Sequence, residues 1–529
     1  MAIGRCLQLG TARLLIAVLT VLLANGCDRP TTGAGVIRFA TGTPLQSFDP
    51  HRSDSGPVHS TYLTLVYDGL TGANPDDLWN PLPSLAHSWH WVTDTSIEFE
   101  LVTGATFTDG TRFDASVAKV NIERMLEVKG PRVNTVATVR SAEVIGPYTL
   151  RIHLHAPDPT LLQNLAGSPG MMVSPGAFDN PDLDLNPVGT GPFIYDKDNS
   201  TIGEVHRFVP RPDYFNDAIA NDAPYEVHVL VNARARLNAL ISGQVDIANI
   251  SPLEAAPAAQ LGFAIEERAN RWFGMTLLDR NGELVPELKD PRVRQALGFA
   301  VDRQALADAL FFGYARPASQ PMVKDVGYVP ALDNFYRYDP DHARALLKAA
   351  GVSSFTFVTP VSPDASSEYE AVQHYLRQVG INMEIEVIEP GTIAALARTE
   401  RYPVNTITFP NFGPDSRHPA IWETTAVFNP FRVPNPRLNE LAAAARSSLD
   451  EKLRQRNYKE YFEIIVKDVH SLIYLQFADL VAYDAAKLRH VQVGPFIDPV
   501  LRNIRLAPTD DSAATMPKQQ IDVAGAPDA

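Results

Sequence analysis

The stretch richest in groups able to do chemistry is Thr406–Trp422, TITFPNFGPDSRHPAIW. An apolar, strand-like run breaks there into a loop that holds Asn411, Phe412, Asp415, Arg417 and His418 among glycine and prolines. In open α/β folds, strand ends of this kind line the ligand crevice, where charged groups make strong directional contacts. Two histidine pairs invite a metal reading: His87 and His90 flank Trp89, and His153 and His155 share one side of an alternating run. A zinc site needs about four converging ligands, and no third can be placed beside either pair. The solvated face of a half-buried strand accounts for both. The glycines of Asn186–Phe193, NPVGTGPF, are followed by no Lys-Ser/Thr, so they do not form a phosphate loop. No GxSxG elbow, HExxH helix or dinucleotide fingerprint is present. An exported hydrolase stays open as an alternative, without a motif to carry it.

The elements that must position such a loop are readable from caps and periodicity. In Asp290–Pro321, Asp290 suits an N-cap and Pro291 a first helical position. Val293, Ala296, Leu297, Ala300 and Val301 form one apolar face, Asp302 either caps a second helix or continues the first, and Gly313 is a stop. Upstream, HSWHWVTDTSIEFEL reads as a hairpin, Asp109-Gly110 as a tight turn, and Asp114 as the cap of a helix whose Val117, Val120 and Met125 share a face. Tyr62, Leu65, Val66 and Leu70 fit another helix face. Tyr148–His155 alternates as a strand with Leu150, Ile152 and Leu154 on one side. Asn232–Ile250 reads as a capped helix, a glycine stop and a buried strand. Downstream, Asp339–Gly351, Phe355–Thr359, Glu368–Val379 and Ile381–Ile388 give helix, strand, helix and strand, with a right-handed parallel crossover between the two strands. Residues 438–466 read as long helices.

At 529 residues the chain is long enough for two or three domains, and a 45% hydrophobic share is normal for globular protein. Lys and Arg total 46 against 61 Asp and Glu, a net charge of −15, which disfavours nucleic acid and anionic membrane surfaces as partners. Residues 1–27 are set apart from the fold: Arg5 and Arg13 precede an apolar run, Leu14–Leu23, too short for a permanent span. Leu23-Ala24-Asn25-Gly26-Cys27 resembles a bacterial lipobox, with Cys27 as the lipidated residue; a plain secretory signal is the alternative. Asp28 resembles an inner-membrane retention signal. Removing this segment takes Cys6 with it and leaves no internal disulfide. The tail from Pro508 is polar, acidic and expected to be disordered.

Several stretches taken together resemble one family. DPRVRQAL, AVDRQAL and GYARPASQPM are similar to the segment that opens the second lobe in solute-binding family 5 of ABC importers, the oligopeptide, dipeptide and nickel type. The hairpin with its Asp-Gly turn and capped helix, the loop SFDPHRSDSG, NPVGTGPF and ARLNALISGQVDIA follow the family's order over about residues 36–506. The resemblance implies an α/β fold of the periplasmic-binding-protein type II. Two lobes enclose a cleft, and a smaller α+β domain is inserted in the first lobe. It assigns residues 36–76, 189–271 and 490–507 to the first lobe, 77–188 to the insertion, 272–489 to the second lobe, 28–35 to a tether and 508–529 to the tail.

It also implies site residues. Asp415 matches the aspartate that pairs with a ligand's free amine; Asn411, Phe412, Arg417 and His418 accompany it. Trp272 and Phe273 stand where the chain crosses between lobes, and Ser53 and Ser55 in the ligand-facing loop. Thr359 stands where dipeptide binders carry an arginine, and His418-Pro419 where Asp-Pro is usual; both departures argue against a free dipeptide. The implied function is capture of an oligopeptide or related solute and delivery to an ABC permease with its ATPase. The alternative in the same fold is a metal chelate, haem or oligosaccharide. The resemblance further implies a monomer that catalyses nothing and needs no cofactor, placed in the periplasm and held at the inner membrane only by its lipid.

Overall fold

The computed structural model describes residues 35–53, 60–76, 80–219, 223–323, 326–406, 414–417, 421–494 and 498–508. The calls on Cys27, Ser55, Asn411, Phe412 and His418, and those on the leader, tether and tail, lie outside these residues, as does the side chain of Arg417.

The chain opens with β1 (Ile37–Thr41), whose Ile37 and Phe39 face the core, and a short helix, α1 (Ser60–Val66). Leu70, expected on that helix, lies beyond its end and packs instead into the next core along the chain. That core is covered by a four-stranded antiparallel sheet: β2 (Ala86–Thr93), β3 (Ser96–Leu101), β4 (Val139–Gly146) and β5 (Thr149–Leu154), in spatial order β2-β3-β5-β4. Leu150, Ile152 and Leu154 are buried beneath it. On the other face, Arg151 pairs with Glu98 at 2.6 Å and His153 with Glu143 at 2.9 Å. The helix α2 (Ala115–Val128) packs on this sheet, and Asp114 caps it by accepting from the Ser116 and Val117 amides. Its buried face is Ala118, Ile122 and Met125, one step round from the expected Val117, Val120 and Met125. Small Ala118 lets the helix approach the sheet while Val117 is only partly covered. The chain returns through Gly189 and Gly191. A Cβ on Gly189 would meet the Val66 carbonyl oxygen at 2.0 Å, so only glycine permits this crossing.

Next come β6 (Phe193–Tyr195), β7 (Val205–Pro210), β8 (Tyr225–Val229), the capped helix α3 (Ala233–Ile241) and β9 (Ile247–Ile250). The strand β10 (Ala264–Leu277) then runs out of this region into the next one. There Asp290 caps α4 (Pro291–Phe299), and Asp302 caps a separate α5 (Arg303–Leu310) rather than extending α4. β11 (Ala315–Pro317) and α6 (Pro340–Ala349) follow. β12 (Phe355–Val361), α7 (Ser366–Arg377) and β13 (Ile381–Val387) form the parallel strand–helix–strand unit. The chain continues through β14 (Val404–Asn405), the single turn α8 (Pro414–Arg417), α9 (Pro436–Arg446) and α10 (Glu451–Lys467). The long β15 (Ser471–Tyr483) brings it back.

One mixed sheet joins the halves, in the order β14-β10-β15-β9-β1-β8-β7-β6, with β11 also on β15. β10 and β15 pair antiparallel almost end to end, from Ala264 opposite Tyr483 to Thr276 opposite Ser471. Met275, Leu277, Leu472 and Tyr474 belong to one apolar core, with Tyr369, Trp422 and Tyr458. Val481 belongs to another, with Phe39, Tyr225 and Ile247.

Candidate functional site

In the second lobe, the described chain after β14 ends at Thr406, which is fixed from below, and resumes at α8. The Tyr369 hydroxyl donates to the carbonyls of Gly274 at 2.6 Å and Thr406 at 3.1 Å, and the Thr406 hydroxyl donates to Pro360 O. On α8, Asp415 is 9% exposed at its side chain. Its Oδ2 accepts from Arg454 Nη2 at 2.9 Å, and its Oδ1 accepts from the Tyr458 hydroxyl. Both donors stand one turn apart on α10, which Asp450 caps. Burial pushes the Asp415 carboxyl up from the ordinary range; Arg454, Tyr458 and Arg446 oppose this, and Asp158 adds to it. Asp158 follows β5 of the inserted sheet, so that region stands within electrostatic reach of the second lobe here. It is itself buried and accepts from Thr138 Oγ1 at 2.6 Å and Thr160 Oγ1 at 2.8 Å.

The other sequence-selected residues fall in different places. Trp272 is buried against Ala318 and Ile473, opposite Gln476 in the β10–β15 ladder. Phe273 points to the other side, into the second core, against Tyr369 at 4.8 Å and Phe311 at 6.1 Å. That placement makes it a packing residue. Thr359 is fully buried on β12 and donates to Val404 O at 3.1 Å, so its hydroxyl is spent on the fold. Ser53 is buried, with its amide donating to Asp49 O.

The loop that holds Ser53 is bolted to the inserted domain. Arg124 of α2 donates to both Asp49 oxygens, at 2.9 and 2.6 Å, and to His51 Nδ1 at 2.9 Å. Since arginine can only donate, His51 is neutral, with its Nε2–H donating to Met171 O at 3.1 Å. Burial and the adjacent guanidinium lower its pKa to about 4.

A second polar cluster escaped the sequence reading. On one face of the first-lobe sheet, the apolar residues Phe39 and Ile247, paired in register, give way two positions later to Thr41 and Asn249. These are the carboxyl ends of parallel strands, where crevices form in such sheets. Asp498, on the returning C-terminal segment, sits over them at 4% exposure. It accepts from Thr61 Oγ1 at 2.8 Å, from Thr41 Oγ1 at 3.5 Å and from Asn249 Nδ2. All three donors are neutral. The nearby Arg236 spends its guanidinium on the carbonyls of Asn249, Leu230 and Val231. Burial raises the Asp498 pKa to about 6, the three donors oppose the rise, and Asp479 of β15 adds to it. Asp479 in turn pairs with Arg271 of β10 at 3.7 Å. The Pro499 that follows Asp498 was the only local signal; the partners are hundreds of residues away.

Among the described residues no group of three or more His, Cys, Asp or Glu side chains could hold a metal ion. Nor is any described helix long and apolar enough to cross a membrane.

Comparison with known proteins bears on most of the chain. The family model for bacterial extracellular solute-binding proteins, family 5, matches residues 80–420. The glutathione-binding protein GsiB of Salmonella paratyphi A is 26% identical over 462 residues, covering 83% of this chain and 88% of its own length. Among solved structures, NikA from Brucella suis in complex with Fe(III)-EDTA superposes with a TM-score of 0.80 at 24% identity, over 90% of this chain and 100% of its own. DppA from Helicobacter pylori, in complex with the peptide STSA, gives 0.74 at 21% identity, over 89% of this chain and 98% of its own.

Proposed function

The chain belongs to the bacterial extracellular solute-binding proteins, family 5, and on that premise we propose that its ligand is an oligopeptide or a related amine-bearing solute held by Asp415. As a family member it serves an ABC importer, binding a small molecule or peptide outside the cytoplasm for a membrane permease. The protein itself catalyses nothing on this reading; the ligand drives closure only as far as it binds the closed form better than the open one. The observation that carries the amine reading is the buried Asp415 carboxylate on α8, held in a fixed direction by Arg454 and Tyr458 of α10. A charge-assisted contact there is strong because little water competes for it. Calorimetry with a defined peptide pool tests it: Asp415→Ala weakens binding by more than about tenfold, or about 1.4 kcal/mol. An unchanged affinity removes the amine anchor.

A second reading keeps the fold and changes the ligand to a metal chelate, haem or oligosaccharide. It is favoured by Thr359, whose buried hydroxyl offers nothing to a ligand carboxylate. Native mass spectrometry of freshly purified protein separates the two readings by the mass of what it carries. We also propose that cleavage leaves Cys27 as a lipidated first residue, with Asp28 retaining the protein at the inner membrane. The intact mass of detergent-extracted protein checks this; a mature chain that starts elsewhere overturns it.

A further inference from the structure

We propose that the Tyr369 hydroxyl is a two-position switch between the crossing strand β10 and the strand end at Thr406, so that Tyr369 positions the chain that goes on to Asp415 according to how the two halves are joined. Nothing in this depends on what Asp415 binds. At the second-lobe end of the β10–β15 ladder, Phe273 faces Leu475 but Gly274 faces Ile473, which leaves Tyr474 as an extra residue on β15. Such a slip interrupts the ladder. The strands press together there: a Cβ on Gly274 would meet the Leu472 carbonyl oxygen at 1.9 Å. The Gly274 carbonyl accepts from Tyr369 of α7, at 2.6 Å. The same phenol oxygen stands 3.1 Å from the Thr406 carbonyl oxygen. Two other hydroxyls hang β14 from β12: Thr359 donates to Val404 O and Thr406 to Pro360 O.

One proton cannot serve two carbonyls fully. A phenol has a single O–H, and burial pushes this one well above its ordinary pKa, so it keeps that proton. Tyr369 is 1% exposed, so no bulk water stands in for a lost acceptor, and a buried donor left unbonded is costly. The proton therefore rests on one carbonyl or on the other. The distances put it on Gly274 O in this arrangement. A shift of the ladder that draws Gly274 O away passes it to Thr406 O by a turn about the C–O bond. The ring, packed on Phe273 at 4.8 Å, stays where it is. Two discrete positions, each favoured by one neighbour, are what coupling between separate parts requires. Grip on the ladder and grip on Thr406 are thus alternatives: loosening one tightens the other.

Amide hydrogen exchange on the full chain tests this at residues 271–276 of β10 and 402–406 around β14, with the inserted sheet, residues 139–154, as reference. Tyr369→Phe removes one oxygen and keeps the ring. It speeds both stretches by more than about threefold, the factor given by one hydrogen bond of modest net strength, and leaves the reference unchanged. Thr406→Val cuts the tie to Pro360 and frees Thr406 O from the phenol. It speeds 402–406 but slows 271–276, again by about threefold. In the double variant that slowing is gone. With an ordinary brace, Thr406→Val speeds both stretches or leaves 271–276 as it was, and either outcome overturns the switch. So does slowing that survives Tyr369→Phe, a Tyr369→Phe effect confined to one stretch, or a reference that moves with them. The Thr406→Val arm keeps Tyr369 and does not need the other variant to fold.

Discussion

Asp415 and Asp498 are the same residue type, each almost wholly removed from water, and the protein treats their charges in opposite ways. In the second lobe, Asp415 meets a guanidinium that is buried with it. In the first, Asp498 meets two hydroxyls and an amide, with a second carboxylate, Asp479, acting on it. Dipoles satisfy the lone pairs of a carboxylate but do not cancel its charge, so burial shifts Asp498 towards the neutral acid. Asp415 also feels burial, yet Arg454 holds against it. The contrast separates hydrogen-bond satisfaction from charge compensation, which are often treated as one property.

The contrast breaks most readily at Arg454. Arg454→Met leaves Asp415 buried without its bonded cation and destabilises the fold by about 3–5 kcal/mol. Urea unfolding at neutral pH measures this, and a loss under about 1 kcal/mol would show that Asp415 does not need its counter-charge. The smaller effect is at Asp498. Its folded pKa, about 6, lies above the 3.8 of the free side chain. Its contribution to stability is therefore full below 3.8 and is lost as pH rises through about 6. Asp498→Asn removes that penalty, so at pH 8 the variant is as stable as wild type or more so, by up to about 2–3 kcal/mol. Its unfolding midpoint also varies less between pH 5 and 7, two working pH values about 1 unit either side of that midpoint. If Asp498→Asn costs as much as Arg454→Met at pH 8, the two sites are alike after all.

Much of the scaffold was legible because its signals are local. Asp114, Asn232 and Asp290 each cap the helix expected of them, since a cap is a contact between residues two or three apart; Asp302, open between two roles in sequence, and Asp339, at the start of an expected helix, cap theirs as well. Gly243 closes its helix at φ +72° for the same reason. The alternation of Leu150, Ile152 and Leu154 needed only the geometry of one strand. The face of α2 was misjudged by one step, because alanine at 118 gives a weak apolar signal yet packs fully. The site was much less legible. Asp415 stood out as a charged residue in a loop, but its partners lie 39 and 43 positions on, in a helix that reads only as amphipathic. Phe273 and Thr359 look like ligand contacts in sequence, and only the sheet's sidedness sends them inward. The cluster around Asp498 draws on residues 437, 457 and 249 positions away, a separation at which no local pattern exists.

The paired strands β10 and β15 have a mechanical consequence. Their ladder crosses from one core to the other, with its register slipping between Ala269 and Arg271 and again between Phe273 and Gly274. Around Trp272 the pair is backed by a third strand, β11, which lies on β15 from Phe477 to Leu475, and the two slips bracket that stretch. Rotation of one half against the other is then taken up at the two slips, while the three-stranded stretch between them stays paired. The Trp272 indole, buried with Ala318 and Ile473, sits within that stretch and travels with it as one piece.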